Sequence, residues 1–401
     1  MSELYKLPKG WEWKKINTII DKTKNKNPKK ELEVDFTYID ISSINNKMFI
    51  IENPKILKGS EAPSRAKKEV FINDIIYATT RPNLKNIAII NQEYNNPIAS
   101  TGFCVLRCNN KNEFKYLFYY LLSNSFYKQL EKDIRGAQYP AVSDTDIKKI
   151  FIPLPPLQEQ KRIVSKLDTL FEKIDKAIVL HQKNMDEADA FMGSVLNDVF
   201  GKLEEKYETI DFNSVCNKIT DGSHNPPKGI ESSDYLMLSS KNIHNNSIHF
   251  ENPRYLKEED FIRENKRTDV TVGNVLLTIV GTIGRTAVVN IDKKFTLQRS
   301  VAVLKPKKDL LDSYFLMYSL QKNLSVLTSG AKGAAQKGIY LKSIKQLTIV
   351  NLPINIQQKT VKYLDKISKK IEKTKSVQKE KMESLVALKA SILDQAFRGE
   401  L

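Results

Sequence analysis

Several groups of residues in this chain have types and spacings that chemistry can use. His224-Asn225-Pro226-Pro227-Lys228 contains Asn-Pro-Pro, a tripeptide that amino-methyltransferases follow with an aromatic stacked on a flipped base. Here Lys228 follows, and no Gly-rich cofactor loop stands behind a strand, so the segment reads as a proline-stiffened loop. Gly281-Thr-Ile-Gly284 has the spacing of an RNA-binding backbone clamp, but a tight turn between two apolar runs explains it better, and Arg285 beyond it can reach a phosphate or base. His244 and His249 lie in a predicted loop without further ligands nearby in sequence. Glu113-x-Lys115 and Glu159-x-Lys161 are pairs that any Lys- and Glu-rich chain contains. The three cysteines, Cys104, Cys108 and Cys216, form no Cys-x-x-Cys and are odd in number, which argues against a disulfide framework or zinc knuckle and fits a reducing cytoplasm. No catalytic residue, metal ligand or cofactor is therefore assigned.

The formal net charge is +17, and a surplus of that size suits a polyanion, because each cation that neutralises a phosphate releases a counterion. The competing reading is a Lys/Asn-rich surface that is merely solvated. Direct readout of DNA wants Arg or Lys on guanine and Asn or Gln on adenine, with other polar groups gripping phosphates. Polar segments between predicted strands supply candidates. In the first half they are Ser42, Ser43, Thr80, Arg81, Asn83, Arg135, Gln138 and Tyr139. In the second they are His224, Ser240, Lys241, Asn242, Arg285, Gln336 and Lys337. Substituting Lys22, Lys24 or Lys26 is expected to weaken binding uniformly or to do nothing.

The elements that position these residues are written twice. At an offset of about 197–200 residues, Tyr38-Ile-Asp-Ile-Ser-Ser43 falls on Tyr235-Leu-Met-Leu-Ser-Ser240, Glu52-Asn-Pro54 on Glu251-Asn-Pro253, and Val70-Phe-Ile-Asn-Asp-Ile-Ile76 on Val270-Thr-Val-Gly-Asn-Val-Leu276. Farther on, Gly136-Ala-Gln138 lies near Gly333-Ala-Ala-Gln336, Pro155…Gln160-Lys161 falls on Pro353…Gln358-Lys359, and Ser194-Val-Leu…Phe200 on Ser391-Ile-Leu…Phe397. Each copy opens with short strands, among them Ile75-Ile-Tyr-Ala-Thr79, Ile87-Ala-Ile-Ile90, Val275-Leu-Leu-Thr-Ile-Val280 and Thr286-Ala-Val-Val289, and continues into a helix. The helices are Phe114-Lys-Tyr-Leu-Phe-Tyr-Tyr-Leu-Leu122 and Ser313-Tyr-Phe-Leu-Met-Tyr-Ser-Leu320. That pattern predicts an α/β domain.

Each copy closes with a long helix. In the first, Val164, Leu167, Phe171, Ile174, Ile178, His181, Met185, Ala188, Met192, Val195 and Val199 alternate at spacings of 3 and 4, a sustained heptad, with His181 as a register-setting polar residue. The second is noisier: Val361, Leu364, Ile367, Ile371, Met382, Leu385, Leu388 and Ile392, with Thr374 and Gln378 on the seam. Pairing is assigned to Val164, Leu167, Phe171, Ile174, Ile178 and Met185 against Leu364, Ile371, Met382, Leu385 and Ile392. Helices of ~40–44 residues would be ~60–66 Å long, too long to bury their stripes on their own domains, so each should pack on the other. A two-fold relation would make them antiparallel and place one domain at each end. The expected domains are 1–155, 156–202 (helix), 203–352 and 353–401 (helix).

With the repeat laid out, the whole chain resembles the type I restriction specificity subunits. Ile219-Thr-Asp-Gly-Ser-His-Asn-Pro226, Leu238-Ser-Ser-Lys-Asn-Ile243 and Gly273-Asn-Val-Leu-Leu-Thr-Ile-Val-Gly-Thr-Ile-Gly-Arg285 look like target-recognition motifs of that family. Gly136-Ala-Gln-Tyr-Pro140 and Pro153-Leu-Pro-Pro-Leu-Gln-Glu-Gln160 resemble its entry into a spacer helix, and Ser391-Ile-Leu-Asp-Gln-Ala-Phe-Arg-Gly-Glu-Leu401 its C-terminus. The first half lacks Asp-Gly-Ser-His and has Thr79-Thr-Arg-Pro-Asn83 where the second has Ile279-Val-Gly-Thr-Ile-Gly284, which implies two different half-sites. The resemblance implies double-stranded DNA as ligand, two modification subunits that methylate adenine N6, two ATP-driven restriction subunits, and no catalysis in this chain. The rivals are a self-sufficient restriction enzyme or methyltransferase and a coiled-coil protein tether. No apolar run reaches the roughly 18 residues of a membrane span, and no signal peptide is read at the N-terminus.

Overall fold

The structure is a computed structural model that describes residues 4–329 and 338–401. It divides into two compact units, one of residues 1–180 with 381–401 and the other of residues 181–380.

In the first unit, strands β1 (Ile20–Asp21), β2 (Asp35–Ile39), β3 (Lys55–Lys58), β4 (Ala66–Glu69), β5 (Ile75–Ala78), β6 (Ile87–Ile89), β7 (Ile98–Ser100) and β8 (Phe103–Cys108) form two sheets, ordered β1-β8-β5-β6 and β3-β2-β7-β4. β2 and β7 are parallel, while β5 pairs antiparallel with both β8 and β6. All four residues of β5 are buried, as expected of a central strand covered on both faces. Helix α1 (Phe114–Leu122) packs on this sheet, and the long helix α2 (Leu157–Glu204) follows.

The second unit repeats the plan. It has β9 (Cys216–Asp221), β10 (Leu236–Leu238), β11 (Arg254–Tyr255), helix α3 (Glu258–Thr268), β12 (Val275–Thr278), β13 (Thr286–Val288), β14 (Phe295–Leu297) and β15 (Val301–Pro306). The sheet orders are β9-β15-β12-β13 and β11-β10-β14, again with one parallel pair, β10 with β14. Helix α4 (Ser313–Lys322) and the long helix α5 (Ile354–Arg398) complete it. The copies agree to single turns. Asp74 Oδ2 accepts from Phe71 N at 2.8 Å, and Asn274 Oδ1 accepts from Thr271 N at 3.0 Å. Asn73 and Gly273 occupy those turns at φ of 69° and 90°, a left-handed backbone that Asn and Gly tolerate best.

The long helices, of 48 and 45 residues, are longer than the sequence pattern suggested, and α2 runs straight through Gly193 and Gly201. Within each unit they are antiparallel: Asp175 pairs with Lys389 in the first, Asp189 with Lys375 in the second. Val164, Leu167, Phe171 and Ile174 are buried, Ile178 and Met185 half-buried; on α5 Leu364, Ile371 and Ile392 are buried, Met382 and Leu385 half-buried.

Three expectations need correction. First, the helices do bury part of their stripes on their own domains. Tyr119 stacks edge-on against Phe171 and its hydroxyl bonds Asp168; the second unit repeats this with Tyr318 on Asp365 at 2.7 Å. The far end of the other helix fills the rest of each core: Phe397 packs on Tyr116 and Tyr120, and Phe200 on Phe315.

Second, the α5 seam carries Lys375 and Lys389, not Thr374 and Leu388. Thr374 is exposed and Leu388 is 48% exposed, while Lys389 lies over the Phe171 ring at 4.8 Å. A lysine stem buries apolar length while its ammonium meets a carboxylate, so it substitutes for a core residue.

Third, the helix-entry alignment slips by one. Gln160 matches Gln357, not Gln358. Each is 1% exposed and makes the same bonds: its carbonyl accepts from Glu113 N or Asp312 N, and its amide donates to Pro155 O or Leu352 O.

Candidate nucleic-acid interface

In the first unit two loops are laced together. Arg81 N donates to Pro140 O at 2.6 Å, Val142 N to Thr79 O, and Arg135 and Ala141 exchange both backbone bonds, closing 135–141 into a hairpin. This brings together the exposed residues Thr80, Arg81, Asn83, Arg135, Gln138 and Tyr139. The Arg81 guanidinium lies 5.5 Å from the centroid of the Tyr139 ring, which is 72% exposed. A flat cation over a flat ring is suited to a base or a phosphate. Arg135 reaches Asp146 at 3.3 Å. Hydrogen bonds from the Ser143 side chain and backbone hold that carboxyl down at about 2, so it remains an anion. Lys85 steadies the first loop from below. Its ammonium caps Leu122 O at 2.9 Å at the end of α1, and burial pulls its pKa down.

Ser42 and Ser43 sit in a short turn after β2. Ser42 is exposed and donates to Asp40 at 2.5 Å. Ser43 is 3% exposed, its hydroxyl turned onto the same carboxylate, so it builds the turn and presents nothing outward. Asn242 is the matching residue in the second unit, 5% exposed. Its amide donates to His249 O and Glu251 O and its carbonyl accepts from Ser239 N. Ser43 therefore matches Asn242, and the alignment that set Ser43 on Ser240 slips by two. Both side chains are spent on holding their turns.

In the second unit the corresponding surface gathers around Gln298-Arg299-Ser300, between β14 and β15. Ser300 O accepts from Ile279 N, and Ser300 Oγ accepts from Ser240 N at 3.0 Å. Ser223 bridges Gln298, and Arg299 N donates to Ser223 O at 2.8 Å. His224, Ser240, Lys241 and the 278–285 turn thus meet at one end of the sheets. Gly281 and Gly284 make that turn at φ of 81° and 90°, as the turn reading required. Arg285 is exposed, and its guanidinium rests on Ile243 O at 3.5 Å. Gln336 and Lys337 lie outside the described residues.

Sequence reasoning did not single out Gln298 and Arg299, although a polar tripeptide between two apolar strands is the signal that selected the others. It also set aside His244 and His249, whose rings stack at 3.5 Å in the hairpin above Arg285. Desolvation, then His249 and Arg285, lowers the pKa of His244. Among the described residues no cluster of three metal-ligating side chains occurs, and no helix is long and apolar enough to cross a membrane. The three thiols are free, and burial raises each to about 12.

The family model for the type I restriction modification DNA specificity domain matches the chain twice, over residues 8–180 and 204–381. The chain belongs to the type I restriction specificity subunits. This specificity subunit is 24% identical over 428 residues to the EcoKI specificity subunit of Escherichia coli K12, covering 99% of this chain and 90% of that one. It is 31% identical to the HsdS subunit from Thermoanaerobacter tengcongensis, with 99% of each chain covered and a TM-score of 0.52. A chain solved in work on complex assembly and conformational transition of the type I R-M system is also 31% identical, with a TM-score of 0.77, 99% of this chain and 100% of that chain covered.

Proposed function

We propose that this specificity subunit reads a split, asymmetric DNA sequence, one half per unit. The target-recognition domains are 1–155 and 203–352, and the segments 156–202 and 353–401, which carry most of α2 and all of α5, join them. The observation that carries the reading is that the same loop position holds different chemistry in the two units. Thr80, Arg81 and Asn83 stand beside Arg135, Gln138 and Tyr139 in the first; the Gly281–Gly284 turn with Arg285 stands beside Ser240, Lys241 and His224 in the second. A shared frame with unlike tips suits two unlike half-sites.

The chain itself holds no reacting group in this account. Two modification subunits supply adenine N6 methylation and two restriction subunits supply ATP-driven translocation and cleavage, in the cytoplasm. Full-length chain mixed with its modification subunits should bind duplex DNA with an affinity that falls steeply between about 50 and 200 mM salt. Salt-independent binding would favour a protein tether, and methyl transfer from S-adenosylmethionine by this chain alone would contradict the account.

A further inference from the structure

Asp221 ends β9 and its side chain is only 8% exposed, yet it holds the Arg267 guanidinium and the His224 ring, both half in solvent. Arg267, in the last turn of α3, donates through Nε to Asp221 O at 2.9 Å and through Nη2 to Oδ1. His224 Nε2 meets Oδ2 at 2.8 Å. Arg267 is 50% exposed and His224 56%. The turn between β9 and His224 is fixed: a Cβ on Gly222 would lie 2.1 Å from Leu297 O, so only glycine lets Asp221 and His224 take these places.

We infer that Arg267 reads a guanine in the half-site of the second unit, and that Asp221 is a positioning residue holding Arg267 and His224 for that task. The inference rests on the DNA-reading function proposed above. A guanidinium has five N–H donors in a planar fork. Asp221 takes the Nε edge, which leaves the Nη1–Nη2 end free, the geometry that matches guanine O6 and N7. His224 keeps Nδ1 free beside it.

The depression these residues line also contains Ser223, Asn225 and Glu264. Glu264, 17% exposed and paired with Arg263 at 3.1 Å, adds a carboxylate that can accept from a base edge, cytosine N4 among them. The site adjoins the Gln298-Arg299-Ser300 surface through Ser223. The first unit carries strand β4 where the second carries α3, and the repeat sets Lys67 of that strand opposite Arg267.

The test selects bound sequences from a duplex library randomised over both half-sites, using the full-length chain with its modification subunits. Wild type is compared with Arg267→Lys, Arg267→Ala and Asp221→Asn, each checked for an unchanged thermal transition. Arg267→Ala should relax one guanine position by about 10- to 100-fold and leave the other half-site intact. Arg267→Lys keeps the charge but loses the fork and should relax the same position. Asp221→Asn should do so more weakly.

Uniform weakening in Arg267→Ala that lysine restores, with the motif unchanged and the salt slope reduced by about one, would make Arg267 a phosphate contact and overturn the inference. So would a motif untouched by every variant. A wild-type chain that selects no motif counts against the DNA-reading function itself.

Discussion

The two units share a frame and differ most at the element that follows β3 in the first and β11 in the second. In the first, the segment after β3 forms the edge strand β4, which pairs with β7 through Ile98–Glu69 and Ala99–Lys68. In the second the same stretch is helix α3, whose Thr268 meets Thr296 of β14 at 3.1 Å in the core. The helix is encoded locally. Glu258, Glu259 and Asp260 open it and Lys266 and Arg267 close it, matching the helix dipole at both ends. Covering the sheet edge with a helix in place of a strand leaves the buried core alike but changes what stands at the rim. Frame and rim can therefore vary independently, which is what a molecule with two unlike recognition surfaces requires.

The largest expected effect tests the shared frame. Phe397→Ala and Phe200→Ala each empty a site that is 1% exposed, in the first and second unit respectively. Each should lower stability by about 3–5 kcal/mol in urea unfolding. A large loss at one and a negligible loss at the other would break the equivalence of the two cores.

Next comes a local change. Gly222→Ala forces a contact with Leu297 O inside the second unit, and should destabilise by about 1–3 kcal/mol, with hydrogen exchange rising in the second unit only. Exchange rising equally in both units would contradict that local reading.

The loops should separate in the same way. Arg81→Ala and Arg285→Ala should each cost about 1–3 kcal/mol of discrimination, in different half-sites. Relaxation of the same half by both would merge surfaces that we assign to separate readers.

The smallest effect is a proton. His244 faces His249, Arg285 and Glu251, and its pKa is lowered from 6.5, whereas the first unit has Asn45 at the matching position. The folded state therefore disfavours the imidazolium. This contribution to stability is complete above the ordinary histidine value and is lost as pH falls through the folded one. An NMR titration should place His244 below 6.5; a value at or above 6.5 would remove this asymmetry.

Much of the fold was legible because the deciding interactions are local or periodic. The α2 stripe from Val164 to Val199 is buried or half-buried throughout, since its spacing leaves one apolar face. The α5 stripe misled where Lys375 and Lys389 stand in for apolar residues, a substitution that depends on Asp189, Asp175 and Phe171 arriving from the other helix.

The insertion of Phe397 and Phe200 into distant cores was not legible, because no local pattern records which end meets which domain. Among the candidate DNA contacts, residue type picked out exposed side chains at Arg81, Arg135 and Arg285. Ser43 and Asn242 are buried instead, because their short polar side chains bond within their own turns, Ser43 to the Asp40 carboxylate and Asn242 to backbone carbonyls. Arg267 escaped notice because it lies on a helix rather than in a loop.

The most direct test of two separate readers is a map of adenine methylation in cells that express this chain with its modification subunits. Our account predicts one motif in two unlike parts separated by unspecified bases. A contiguous motif, or a palindrome with identical halves, would contradict it.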